Sequence, residues 1–189
     1  MATEEEMQAA QIGGMRVHNA PIELIDYSAE WPVLFAREAN RVRATLGDRV
    51  LMLEHVGSTS VPGLAAKPII DLILAVADSA NETEYVPAME SAGYVLHIRE
   101  PEWHQHRLFK GPDTNINLHV YSFGCPEIDT MLMFRDWLRT NDADRELYER
   151  IKRELAKQTW KHVQNYADAK TSVVAEIVAR ARAARDRKR

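Results

Sequence analysis

Residues 55–76 read HVGSTSVPGLAAKPIIDLILAV, and the reading of this stretch decides the fold. Its second half, Ile69 to Val76, is almost continuous aliphatic sequence interrupted by one aspartate, Asp71. Such a run predicts a central strand covered on both faces. The first half continues a strand predicted over Arg49 to Val56. Gly57 then lets the backbone turn tightly and a ligand approach closely. Ser58, Thr59 and Ser60 offer three hydroxyls in succession, and backbone N–H groups in such a turn can form a concavity suited to phosphate. Lys67 adds a positive charge just before the strand. An ionised aspartate inside a strand is costly unless it is paired or holds a metal. A strand carboxylate beside a phosphate-friendly loop is what Mg2+-assisted phosphoryl or nucleotidyl transfer needs. The plain alternative is a turn followed by a structural pairing of Asp71 with Lys67.

Outward from this stretch the pattern is mixed. Ile22 to Asp26 alternates as a short strand. Ser28 can cap a helix carrying Trp31, Leu34, Phe35, Ala39, Val42 and Leu46 at helical spacing, and Gly47 ends it. Thr83 to Ala92 predicts a short helix. Tyr94–Ile98, Arg107–Lys110 and Ile116–Tyr121 predict strands, with a turn at Pro112-Asp113. From about Ile128 onward only helical patterns appear, with Asp142 expected to cap the second of three helices. The expected fold class is α+β: a small mixed β-sheet followed by C-terminal helices. Residues 1–16 read as a mobile tail, and residues 17–189 as one domain.

Bulk properties narrow the function classes. The chain has 189 residues and a formal net charge of −4, so the overall field does not favour nucleic acid. The arginine-rich C-terminus, interleaved with alanines, reads as a solvated helix end. One cysteine, Cys125, excludes a disulfide framework and suits a cytoplasmic location. There is no apolar run long enough for a membrane span.

Residues 55–71 closely resemble the signature of the GrpB family. The likeness extends to Trp31-Pro32, to Asn117-Leu118-His119-Val120, to the segment from Phe134 to Arg139, and to the helix with Tyr148 and Lys152. This family in turn resembles the nucleotidyltransferase superfamily typified by DNA polymerase beta. The resemblance implies a nucleotidyltransferase-like fold in which a Gly-Ser pair contacts a nucleoside triphosphate. A strand with two carboxylates, one hydrophobic residue apart, would then hold Mg2+. Here Gly57-Ser58 is followed, after twelve residues, by Asp71-Leu72-Ile73. Ile73 stands where the second carboxylate is expected. The superfamily's third carboxylate lies on a later strand, where this chain offers His119, with Asn117 two residues earlier on the same face.

The expected catalytic residues are therefore Ser58, Asp71 and His119, with Asp71 and His119 as candidate metal ligands. His55, Gly57, Ser58, Thr59, Ser60, Lys67, His104, Arg107 and Lys110 are the expected nucleotide-binding residues. If residues 104–106 are strand, His104 and His106 share a face and can join Asp71 and His119. Arg135, Lys152 and Lys170 lie on the helical part, where pairing with nearby acids is the ordinary explanation. The expected substrates are a nucleoside triphosphate, most simply ATP, and a small acceptor. Two alternatives stay open: a nucleotide- or metabolite-binding module without catalysis, and a metalloenzyme that does not use nucleotides. Some family members are fused to dephospho-coenzyme A kinase, an association with nucleotide-linked metabolism.

Overall fold

The computed structural model describes residues 8–13 and 18–187. Five strands form one sheet: β1 (Met52–Val56), β2 (Ile70–Val76), β3 (Val95–Glu100), β4 (His106–Lys110) and β5 (Ile116–Ser122). Their spatial order is β1-β2-β5-β4-β3, and only the β2–β5 pair is parallel. Among the described residues, six helices of at least six residues accompany them. These are α1 (Glu30–Leu46), α2 (Val86–Ser91), α3 (Pro126–Thr140), α4 (Asp142–Ala156), α5 (Val163–Ala169) and α6 (Thr171–Asp186). The mixed sheet with C-terminal helices is the α+β arrangement expected from the sequence.

The aliphatic run behaves as its composition dictates. Leu72, Leu74 and Val76 point to one face of the sheet and pack under α1 and α2 with Trp31, Val42, Met89, Phe109 and Leu118. Ile73 and Ala75 point to the other face and pack with Val56, Tyr121 and Ile128 of α3. With both faces covered, β2 has no need of polar alternation. Asp71 opens this second face at the strand's N-terminal end, where helical cover gives way to a cleft. Ile73, by contrast, is fully buried beneath α3.

Glu38 of α1 is fully buried, and it is satisfied by the Tyr94 hydroxyl at 2.8 Å and the Thr114 hydroxyl at 2.6 Å. This network ties the first helix to the turn before β5.

Several local expectations change. Residues 22–26 do not join the sheet; Ile25 makes only an isolated bridge to Ala66, in the segment that follows the Gly57–Ser60 loop. Asn141, rather than Asp142, caps α4, its side chain accepting from the Asp144 amide at 2.9 Å. The last predicted helix is two helices, α5 and α6, meeting at Lys170. Most of the expected tail lies outside the described residues, but within it Gln11 bridges Ile98 and the Ile12 amide donates to the His97 carbonyl at 2.9 Å.

Candidate functional site

A cleft of about 730 Å³ lies between the second face of the sheet and the C-terminal helices. The alternation of three strands decides what faces it. Asp71 comes from β2, Asn117 and His119 from β5, and Lys110 from β4. The Gly57–Thr59 loop closes one side, and Lys67, Lys152 and Lys170 reach in from the loop before β2, from α4 and from the α5–α6 junction. Four lysines thus face two carboxylates, Asp71 and Glu127, which gives the cleft a positive field.

Asp71 sits at the centre. Its Oδ1 accepts from Asn117 Nδ2 at 2.7 Å, and His119 Nε2 lies 3.9 Å from the same oxygen. Lys110 Nζ donates to Asn117 Oδ1, so Asn117 links the cation to the carboxylate. Burial works against the charge on Asp71. The nearby His119, the hydrogen bond from Asn117 and the charge of Lys67 outweigh it and hold the carboxyl below the usual range. The lysines are shifted the other way. Burial, with repulsion from Lys170, pushes Lys67 down to about 8 and Lys152 down to about 7. Lys110 and Lys170 are also lowered by burial, although Asp71 partly offsets it.

The loop's three hydroxyls have different duties. Ser58 alone offers its hydroxyl to the cleft, where Lys152 Nζ lies 3.1 Å from Oγ. Lys152 also donates to the Ala65 carbonyl. Thr59 and Ser60 are buried, and their hydroxyls are used internally, Thr59 donating to the Ile69 carbonyl and Ser60 to the Gly57 carbonyl. His55 lies on the opposite face of the sheet, stacked on Phe35 at 4.8 Å. Because the Thr59 hydroxyl donates to Ile69, His55 Nε2–H is the donor across the 3.1 Å contact with Thr59. Desolvation pushes His55 down to about 4, consistent with a neutral ring in a packed position. The side chains of His55, Thr59 and Ser60 therefore shape the loop; of the three, Thr59 lines the cleft, and His55 and Ser60 do not.

Two further corrections concern the segment after β3. His104 lies in a turn with φ +54°, not on a strand, so the shared-face argument fails and it stands outside the cleft. Arg107 is buried on the α1 side of the sheet and pairs with Glu82. Its residue type suggested an anion binder, but strand alternation turned it away. His106 instead faces the site side, 3.0 Å from His119.

The residues least legible in the sequence are Lys152 and Lys170. Neither makes an ion pair with an acid among the described residues, contrary to the expected pairing. Their signal was positional: Lys152 lies four residues from both Tyr148 and Ala156, on the apolar stripe of its helix, where a solvated lysine does not belong. Arg135 does pair with Glu54, at 2.8 Å, and also holds the His55 carbonyl at 2.9 Å. Arg139 holds the Ser60 carbonyl with two bonds of 2.8 and 3.0 Å. The two arginines of α3 thus brace the loop from behind.

The GrpB protein family model matches residues 21–180. The chain belongs to the GrpB family. It is 60% identical over 181 residues to a UPF0157 protein of Halalkalibacterium halodurans, covering 96% of this chain and 93% of that one. The crystal structure of the conserved protein GrpB from Enterococcus faecalis superposes with a TM-score of 0.75 at 32% identity, over 84% of this chain and 96% of that chain. A dephospho-CoA kinase of Mycolicibacterium paratuberculosis is 27% identical over 86% of this GrpB chain, which spans 46% of that longer protein.

Among the described residues, no group of three or more His, Cys, Asp or Glu side chains is arranged to hold an ion. Asp71 is already engaged by Asn117 and lies among lysines, and Glu127, the other carboxylate lining the cleft among the described residues, does not form such a group with it. Ile73, in the place of a second carboxylate, lies in the core. These residues do not fit a metal centre built by the chain itself. Among the described residues, no helix is long and apolar enough to cross a membrane.

Proposed function

We propose that this GrpB protein binds a nucleoside triphosphate in the lysine-lined cleft and transfers its nucleotidyl group to a small acceptor. The observation that carries the reading is the convergence of Lys67, Lys110, Lys152 and Lys170 on the space beside Ser58 and Asp71. Four ammonium groups in one partly desolvated cleft repel one another, and a polyphosphate relieves that cost. Tyr166 adds to the case. Its buried hydroxyl has no partner among the described residues, and its ring lies 5.6 Å from Lys67 Nζ and 4.6 Å from Lys170 Nζ.

In this reading the Ser58 hydroxyl and the lysines hold the triphosphate, and Mg2+ enters only as part of the nucleotide substrate. The lysines stabilise charge building on the leaving pyrophosphate, a preorganised electrostatic contribution. Asp71 and His119 meet the acceptor, whose O–H or N–H gives up its proton as it attacks phosphorus. The longer relatives named dephospho-CoA kinase support a link to nucleotide chemistry. Thermal-shift measurements with nucleoside triphosphates, followed by pyrophosphate release over an acceptor panel, test the proposal. Absence of nucleotide binding overturns it.

A second reading, a binding module without chemistry, is favoured by the burial of Ile73 at the position where a second carboxylate is expected. Binding without pyrophosphate release over the panel would select it.

The lysines give two checks. Bound anion favours the ammonium form, so it raises the depressed values of Lys67 and Lys152. Triphosphate binding between about pH 7 and 8 is therefore expected to take up protons, measurable by calorimetry in buffers of different ionisation enthalpy. Proton release on binding would contradict the site. Lys152→Met is expected to weaken triphosphate binding by about ten- to a hundredfold, the scale of losing one desolvated charge contact. Its folded-state value is below that of an unfolded lysine. The cost of its charge is thus fully present below about pH 7 and disappears as pH rises toward the ordinary lysine range. The variant's Tm at pH 6 is expected not to fall, which separates lost binding from lost fold.

A further inference from the structure

Behind His119 runs a chain of hydrogen bonds that nucleotide binding does not explain. Glu100, at the end of β3, places Oε2 2.6 Å from His106 Nδ1. His106 Nε2 lies 3.0 Å from His119 Nδ1. His119 Nε2, at the far edge of that ring, faces Asp71 across 3.9 Å. The series therefore leads from a partly exposed carboxylate, through a buried imidazole, to a second imidazole at the reacting centre.

The polarity of this chain follows from valence. Glu100, as a carboxylate, only accepts, so the proton of a neutral His106 is on Nδ1. Burial disfavours the charged form of His106. Its Nε2 then carries a lone pair and must accept, so His119 must donate from Nδ1. A neutral His119 is left with its lone pair on Nε2, pointed at the cleft. The His106 ring is confined by stacking on Tyr121 at 4.9 Å and by the edge of Trp103 at 5.4 Å, which opposes a flip. The other charged groups around His119 are Asp71 on β2, Lys110 on β4 and Glu127 on α3.

We infer that Glu100 and His106 are positioning residues that fix His119 in the tautomer of a general base. The inference rests on the transferase reading above. As the acceptor oxygen or nitrogen forms its bond to the α-phosphorus, its proton passes to His119 Nε2. The bond from that phosphorus to the bridging oxygen breaks, and pyrophosphate leaves with the electron pair. The imidazolium so formed has Asp71 on one side and the His106–Glu100 chain on the other, the arrangement that makes an imidazole effective in proton transfer. The proton then returns to water.

Long-range 1H–15N correlation spectra of histidine-labelled full-length protein, at a pH where both rings are neutral, read the tautomers directly. Nδ1–H is expected on both His106 and His119. Glu100→Ala, and His106→Phe, which keeps the aromatic stack, are each expected to convert His119 into a tautomer mixture. Glu100→Ala is also expected to lower kcat about tenfold with KM for the triphosphate unchanged, a loss of orientation and not of binding. An Nε2–H tautomer on wild-type His119, or an unchanged tautomer in both variants, overturns the inference whatever the activity. The expected tautomers without pyrophosphate release on any acceptor would leave the positioning intact and overturn the transferase reading.

Discussion

Asp71→Asn is expected to lower kcat for nucleotidyl transfer by about a hundred- to a thousandfold, the scale on which removal of a preorganised charge or a positioned proton acceptor acts. The carboxylate faces His119 Nε2 across 3.9 Å and lies in the cleft with the four lysines, beside the Gly57–Thr59 loop. An amide of the same shape can still accept from Asn117, so the local packing is kept. It cannot, however, balance an imidazolium forming on His119. The sign of the binding effect distinguishes this from general damage. Removing a negative charge makes the cleft more positive, so KM for the triphosphate should stay level or fall while kcat collapses. Pyrophosphate release under saturating nucleotide, with thermal unfolding as a control, measures both. Normal turnover in this variant would remove Asp71 from the chemistry and with it the proposed assignment.

Gly57→Ala is expected to cost about 2–4 kcal/mol of stability and most of the activity. Gly57 adopts φ +68° and ψ −175°, backbone that a residue with a side chain enters only at about 1–3 kcal/mol. A Cβ there would also fall 2.3 Å from Asp71 Oδ2 and 3.0 Å from its Cβ and Cγ. The chain must then move the loop away from β2 or turn the carboxylate out of its contacts with Asn117 and His119. Gly63 supplies the control. It has φ +77° but nothing within 4 Å of the added carbon, so Gly63→Ala should show the backbone cost, about 1 kcal/mol, without the loss of activity. Denaturant midpoints and turnover of the two variants test this together. Equal effects would mean that the close approach of Gly57 to Asp71 has no special consequence.

These two substitutions involve residues that the sequence already marked. Asp71 stood out because a carboxylate interrupts an aliphatic run, and Gly57 because it opens a hydroxyl-rich turn between two strands. The same local chemistry made residue type an unreliable guide elsewhere. Arg107 has the ideal fork for phosphate, but the two-residue period of β4 sends it to Glu82, while Lys110, three positions on, reaches the cleft. His104 and His106 are alike in sequence spacing, yet the turn ends between them, and only His106 is in the sheet.

The sequence by itself determined the strand–loop–strand core, the α+β class and the family, and it marked Asp71 beside a Gly-Ser loop as the centre of the candidate site. All of these depend on short-range facts: apolar periodicity, turn chemistry and a seventeen-residue signature. Only the tertiary structure decided what surrounds that centre. Lys152 lies 94 positions from Ser58, and Arg135 lies 80 from His55, so no local pattern records their contacts. The crossover that places β5 beside β2 brings Asn117 and His119 to Asp71, and the antiparallel pairing of β4 then sets His106 behind His119. The physical reason is that the field of a site is a sum over space, while a sequence lists its charges in chain order. Gly57 and Asp71 were visible as a loop and a carboxylate. Their four-lysine setting, and the burial of Ile73 beneath α3, became visible only once the helices had packed.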